Sequence, residues 1–214
     1  MRQQSIAFSS KNNTLEGIIS IPNGSSKKVP AVLLGHPHPI FGGSMSSMVL
    51  QLISNTLDSS GIATMRFNFR GTGNSQGSFD QGKGEQDDLK AAWNVLRQWP
   101  GIDKSRLGLM GISFSSSVAL GCIDKIKGIS GLCIVSPTEN SILRADIDKI
   151  KCPRLVLTGS EDKISKWDSV QKALNSLAPK TQLQVIENAD HNWTHKEDEL
   201  ASIVSQFFSD SIIG

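Results

Sequence analysis

The chain has 214 residues, of which 38% are apolar and 20% charged, and its formal net charge is +2. This length suits one domain, residues 1–214, with a substantial core. The nearly balanced charge gives no electrostatic case for nucleic-acid binding, so we expect no nucleic-acid partner. No apolar run approaches the roughly 20 residues of a membrane span, and none forms the core of a signal peptide, so we expect a cytoplasmic protein with no membrane partner.

The apolar pattern predicts alternating strands and helices. Two strand-like segments, residues 5–9 and 15–21, come first, and Asn12-Asn13 between them is typical of a hairpin turn. Later strands are predicted at 32–34, 62–69, 107–110, 129–135, 154–157 and 183–186. Helices are predicted around 49–57, 89–96, 115–122, 166–177 and 200–208. This order predicts an α/β fold with a mostly parallel sheet, an antiparallel hairpin at one edge, and helices on both faces.

The pentapeptide Gly111-Ile112-Ser113-Phe114-Ser115 follows one of these strands and begins a helix. A serine on a sharp turn between strand and helix is the pattern of a nucleophile elbow, which projects the hydroxyl from the top of the sheet. The residues two before and two after the serine must be small, because the strand and helix backbones pass close together there. Ser115 departs from the glycine usual at that position, which bears on the packing of the helix against the strand.

An acidic residue and a histidine follow the last two predicted strands. Asp162 comes after the strand at 154–157, and His191 comes after the strand at 183–186, which gives the chain order serine, acid, histidine. In this arrangement His191 is the general base for Ser113, and Asp162 fixes the tautomer of His191 and stabilises its protonated form. Glu161 is the alternative acid, but the shorter carboxylate of Asp162 fits the usual geometry better.

The loop after the strand at 32–34 is predicted to complete an oxyanion hole. One backbone N–H would come from Phe114 and the second from this loop, where Pro37 and Pro39 have no N–H to donate. His38 is therefore the preferred donor, with Ile40 or Phe41 as alternatives. We interpret His36 as a residue that caps the strand end by hydrogen bonding.

Ile40, Phe41 and Trp193 are the candidates for substrate contact, and core packing is the alternative for the two aromatic residues. No cofactor or metal is expected. The glycines from Gly71 to Gly77 lack the spacing of a dinucleotide-binding loop, and the His191/His195 pair lacks the glutamate of a zinc helix.

Two longer strings now make a family resemblance plain: His36-Pro37-His38-Pro39 with Gly42-Gly43, and the segment 66–77 containing Phe-Arg-Gly-Thr-Gly-Asn-Ser. With the elbow, the Gly-x-x-Asp and the Asp-His motifs, they resemble the small lidless bacterial α/β-hydrolases, the dienelactone hydrolase-like and serine esterase group. The resemblance covers about residues 15–208. It implies an eight-stranded α/β-hydrolase fold without a lid domain.

The resemblance also implies carboxylic-ester chemistry. The leading hypothesis is a serine hydrolase that acts on small-molecule acyl substrates, namely esters, thioesters or lactones, through an acyl-enzyme on Ser113. A non-catalytic binding module and a peptidase of the same fold are the alternatives.

Overall fold

A sheet of eight strands forms the centre of the structure, a computed structural model that describes residues 1–24, 28–177 and 180–213. The strands are β1 (Arg2–Ser10), β2 (Asn13–Ile21), β3 (Val29–Gly35), β4 (Ala63–Phe67), β5 (Ile102–Ile112), β6 (Gly131–Val135), β7 (Arg154–Gly159) and β8 (Gln182–Ile186). Their order across the sheet is β1-β2-β4-β3-β5-β6-β7-β8. β1 and β2 pair antiparallel, β2 also meets β4 antiparallel, and the remaining pairs are parallel. The predicted mostly parallel sheet with an antiparallel edge is confirmed.

Helices cover both faces of this sheet. They are α1 (Met48–Ser59), α2 (Gly84–Gln98), α3 (Phe114–Gly121), α4 (Glu139–Leu143), α5 (Trp167–Leu177) and α6 (Glu197–Phe208). α1 and α6 pack with one core cluster, whereas α2, α3 and α5 pack with the other. β3 contributes to both clusters, because Leu33 faces one and Val32 and Leu34 face the other. A strand buried on both sides explains its uninterrupted apolar sequence.

The connection between β6 and β7 decides whether the site is covered. Within the described residues it contains only the five-residue α4 and the 3-10 turn Ile147–Lys149. The fold therefore has no lid domain, as predicted. α4 itself was not predicted, because one turn is too short to produce an apolar repeat. Its N-terminus is capped by Thr138, whose side chain accepts a hydrogen bond from the Ser141 N–H.

Among the described residues, no helix combines the length and the apolar character that crossing a bilayer would require.

Candidate active site

The candidate site lies at the carboxyl ends of the parallel strands, where loops from β3, β5, β7 and β8 meet. Gly35 at the end of β3 is paired with Gly111 near the end of β5. The loop that carries His38 and the turn that carries Ser113 therefore start side by side. In open α/β sheets, ligands bind at this edge.

Ser113 occupies a strained turn between β5 and α3. Its backbone has φ 55 and ψ −107, a conformation that costs a non-glycine residue about 1–3 kcal/mol. The Ser113 N–H donates to the Val135 carbonyl at 2.8 Å, which anchors the turn to β6. A Cβ at Gly111 would lie only 2.7 Å from the Ser115 carbonyl oxygen, so the close approach of strand and helix requires glycine there.

Ser115, which departs from the usual glycine, is accommodated by two local features. Its buried hydroxyl accepts a hydrogen bond from the Ile112 N–H at 2.8 Å and donates to the Ile112 carbonyl at 3.1 Å. Across from it stands Gly35, where an added Cβ would lie 2.6 Å from the Ser115 Cβ. The extra side chain therefore fills space that Gly35 leaves free and satisfies its own polar atom.

Three side chains from separate loops form one hydrogen-bonded chain. The Ser113 Oγ lies 2.8 Å from His191 Nε2, and His191 Nδ1 lies 3.0 and 2.9 Å from the two carboxylate oxygens of Asp162. A carboxylate can only accept, so Nδ1 carries the proton and Nε2 is free to accept from the serine hydroxyl. This is the arrangement in which an imidazole can remove a proton from a serine.

Asp162 is held as a carboxylate by its surroundings. Burial alone would raise its pKa, but the hydrogen bonds from His191 and from the N–H groups of Ser165 and Ile164 lower that pKa below its ordinary value. Glu161, the alternative acid, is exposed, whereas Asp162 is buried and contacts His191.

His36 has the structural role expected of it. Its ring is fully buried, Nδ1 lies 2.6 Å from the Pro37 carbonyl oxygen, and Nε2 accepts from the Phe69 N–H at 3.2 Å. Burial lowers the pKa of His36 to about 4, so the ring is neutral at neutral pH. His36 therefore links the ends of β3 and β4 and takes no part in the serine's hydrogen bonding.

The loop at 38–43 folds on itself around His38. The His38 carbonyl accepts from the N–H groups of Phe41 and Gly43 at 3.1 and 3.0 Å, and the His38 ring accepts from the Ile40 N–H at 3.3 Å. The amides of Ile40 and Phe41, the alternative oxyanion donors, are thus engaged inside the loop. In the part of the chain that the structure describes, the His38 N–H donates to no protein acceptor.

Similarity to known proteins shows which family this chain belongs to. Residues 29–206 match the model of the alpha/beta hydrolase domain family. This chain belongs to the alpha/beta hydrolase family.

Individual relatives of this hydrolase-family chain are similar over nearly their whole lengths. It is 30% identical over 210 residues to an uncharacterised protein of Rickettsia prowazekii, covering 94% of this chain and 87% of the relative. An alpha-beta serine hydrolase homologue from Coxiella burnetii superposes with a TM-score of 0.83 at 29% identity, covering 96% and 97% of the two chains. A serine hydrolase without lid from Xanthomonas campestris superposes with a TM-score of 0.85 at 27% identity, covering 100% and 97%. The predicted resemblance to lidless α/β-hydrolases is confirmed.

A cavity of about 670 Å³ opens beside Ser113 in this hydrolase fold. Ser113 and His191 line it, as do Phe114, His38 and Phe41. The other lining residues are drawn from several loops and helices: Pro37, Val49, Ile112, Ser117, Thr138, Ile164 and Asn192. Most of these residues carried no signal in the sequence, because only the tertiary fold brings their loops together.

The structure contradicts one predicted substrate contact, Trp193, and a second, Ile40, does not line this cavity. Trp193 is completely buried in the core, and its indole N–H donates to the Ser136 Oγ at 3.2 Å, so a substrate cannot reach it. Ile40 points outward with 65% of its surface exposed and does not line the cavity. Phe41, in contrast, lines the cavity while remaining 86% exposed.

Trp193 instead anchors the loop that carries His191. Its backbone has φ 62, which turns the side chain toward the core two residues after the histidine. Next to it, the Asp190 carboxylate accepts from the Thr194 N–H and hydroxyl, both at 2.9 Å. These contacts on both sides of His191 hold the loop that carries the histidine.

Proposed function

We propose that this protein is a serine hydrolase that cleaves carboxylic ester bonds through an acyl-enzyme on Ser113. The observation that carries the proposal is the 2.8 Å contact between Ser113 Oγ and His191 Nε2, with the other ring nitrogen on Asp162. An unassisted serine hydroxyl is a weak nucleophile, and an adjacent oriented base removes that limitation.

The first half-reaction forms the acyl-enzyme. The Ser113 Oγ attacks the carbonyl carbon of the substrate while His191 Nε2 accepts the serine proton. The carbonyl oxygen becomes an oxyanion, for which we assign the N–H groups of Phe114 and His38 as donors; one such donor is worth about 3–4 kcal/mol in the transition state. Protonated His191 then transfers its proton to the leaving oxygen or sulfur, and the bond to the leaving group breaks.

The second half-reaction releases the acyl group. A water molecule gives its proton to His191 Nε2 as its oxygen attacks the acyl carbon. The tetrahedral intermediate collapses, the Ser113 oxygen takes the proton back, and a carboxylic acid leaves. Asp162 stays ionised throughout and stabilises the imidazolium in both steps.

The proposed substrates are small acyl compounds, namely esters, thioesters or lactones. The cavity beside Ser113 has apolar side chains from Val49, Ile112 and Ile164 in its wall, which suits a short aliphatic or aromatic group. Without a lid domain, the cavity opens directly to solvent, which favours substrates that are themselves soluble.

Hydrolysis of p-nitrophenyl esters from acetyl to palmitoyl tests this proposal. We expect turnover of the short esters, and we expect Ser113→Ala to lower kcat by about 10⁴–10⁶ while the fold is retained. Ser59→Ala, at the exposed end of α1, is the control and keeps the wild-type rate. Equal rates for Ser113→Ala and the wild type would refute the assignment.

A further inference from the structure

A second cavity, of about 650 Å³, adjoins the one that contains Ser113. His38, Phe114, Ser117 and Thr138 line both cavities and form the boundary between them. Two of these four residues are the proposed oxyanion donors. A substrate with its carbonyl oxygen at those donors would therefore lie next to both cavities.

The charged side chains that line the second cavity are Lys83 and Arg144, and none of the described lining residues is acidic. Within the described ranges, neither cation forms an ion pair. Lys83 is also the N-cap residue of α2, and the first N–H of that helix, from Gly84, already donates to the Asp80 carboxylate. The described lining of the cavity therefore carries two positively charged side chains, Lys83 and Arg144.

The acidic residues near Lys83 form no ion pair with it in the described part of the chain. The Glu85 carboxylate accepts from the N–H groups of Asp80 and Gly82 at 2.7 and 2.9 Å. The Asp80 carboxylate accepts from the Gly84 N–H at 3.0 Å. Both carboxylates are thus committed to the turn that begins α2, and the ammonium of Lys83 remains available to a ligand.

The position of His191 indicates which part of a substrate enters the second cavity. His191 must protonate the leaving group, so that group lies beside the imidazole, and neither His191 nor Ser113 lines the second cavity. The remaining part, the acyl group, is then directed past Phe114 toward Lys83 and Arg144. Phe79, Phe114 and Val118 offer apolar contacts to its middle segment.

Building on the proposed function, we propose that the second cavity binds a carboxylate at the far end of the acyl group. The substrate class is accordingly half-esters or half-thioesters of dicarboxylic acids, with an apolar segment between the reacting carbonyl and the free carboxylate. Arg144 offers a guanidinium fork that matches a carboxylate, and Lys83 adds a second positive charge.

Two esters of matched shape test this proposal. p-Nitrophenyl monoglutarate carries a terminal carboxylate, and p-nitrophenyl 5-methylhexanoate carries an uncharged isopropyl group of similar size in its place. We expect the ratio of their kcat/KM values to favour the monoglutarate by about tenfold or more, because two cations each contribute a charge-assisted contact. Added salt should lower this ratio.

The double variant Lys83→Met/Arg144→Met removes both charges while keeping most of each side-chain stem. We expect it to lower the ratio by about tenfold, mainly through KM for the monoglutarate. Lys104→Met is the matched control. Lys104 is exposed near the start of β5, whereas the site lies at the other end of that strand. We expect this variant to leave the ratio of kcat/KM values unchanged.

The outcomes separate this proposal from the proposed function. A wild type that prefers the neutral ester, or a preference that survives in the double variant, would overturn the carboxylate site. If neither ester is hydrolysed, the proposed function fails, and calorimetry with monomethyl glutarate then decides the carboxylate site by itself. Binding that is lost in the double variant supports the site, and equal binding or no binding overturns it.

Discussion

Replacing Asp162 by asparagine should nearly abolish catalysis while changing only one atom. The Asp162 Oδ1 accepts two backbone hydrogen bonds, from Ile164 at 2.9 Å and from Ser165 at 2.7 Å. These two N–H groups need an acceptor, so the amide oxygen of the introduced asparagine must occupy the Oδ1 position. Its NH₂ group then takes the Oδ2 position, 2.9 Å from His191 Nδ1, which also lies 3.0 Å from the Oδ1 position.

An NH₂ group at that position reverses the hydrogen bond to the histidine. It donates to Nδ1, so the proton of His191 moves to Nε2, which faces the Ser113 Oγ at 2.8 Å. A protonated Nε2 cannot take the serine proton, and the stabilisation of the imidazolium by a negative charge is lost as well. We expect kcat to fall by about 10⁴, the loss that the wrong histidine tautomer produces in a serine triad.

The assay is hydrolysis of p-nitrophenyl acetate by Asp162→Asn, with Glu161→Gln as the matched control. Glu161 is the adjacent, exposed acid, and its variant should stay within about twofold of the wild type, since surface substitutions rarely matter. Circular dichroism should show an intact fold in both variants. If Asp162→Asn keeps more than about a tenth of the wild-type kcat, the proposed role of the carboxylate is wrong.

Three further predictions concern the support of the site. Ser115→Gly restores the glycine usual in elbow motifs but removes both hydrogen bonds to Ile112. We expect urea unfolding to show a free energy of unfolding lower by about 2 kcal/mol. Equal or greater stability would contradict the packing of Ser115 against Gly35 and Ile112. Trp193→Phe removes the hydrogen bond to Ser136 and part of a buried ring. We expect a free energy of unfolding lower by about 2 kcal/mol, and a lower kcat with little change in KM. Unchanged kinetics would show that Trp193 does not position His191. Burial lowers the pKa of His36 from 6.5 to about 4, so the unfolded state binds a proton at this residue before the folded state does as the pH falls. The free energy of unfolding should therefore drop by about 2 kcal/mol between pH 7 and 4.5. His36→Gln should remove this part of the pH dependence, and identical curves for the two proteins would refute the assignment.

The features that the sequence predicted best are those fixed by local chemistry. A buried strand followed by Gly111-Ile112-Ser113 specifies a sharp turn, because only a small residue tolerates the 2.7 Å approach of the helix backbone at position 111. The parallel sheet follows from the alternation of apolar segments, and the parallel sheet in turn brings Asp162 and His191 to the same edge as Ser113. The contacts among these three side chains depend on chain order and topology, which the sequence contains.

Side-chain direction within loops was less predictable. Trp193 is only two residues from His191, and it was predicted either to contact substrate or to pack in the core. Its positive φ turns the indole into the core instead, and nothing in the local sequence indicates a left-handed residue at a tryptophan. Ile40 lies in the 3-10 turn Pro39–Phe41, where it is 65% exposed and does not line the cavity.

The second cavity could not be predicted from the sequence at all. Lys83 begins α2 and Arg144 follows α4, and 60 positions separate them along the chain. Each, taken alone, is an ordinary exposed cation. Their shared cavity exists only because both elements pack beside α3, which the elbow positions.

The central claim, that Ser113 is an activated nucleophile, is tested most directly by labelling the folded protein with a fluorophosphonate and locating the adduct by mass spectrometry. We predict one adduct, on the peptide that contains Ser113, formed by the native protein and absent from the denatured protein and from Ser113→Ala. A native protein that stays unlabelled, or that carries its label on another residue, would contradict the proposed mechanism.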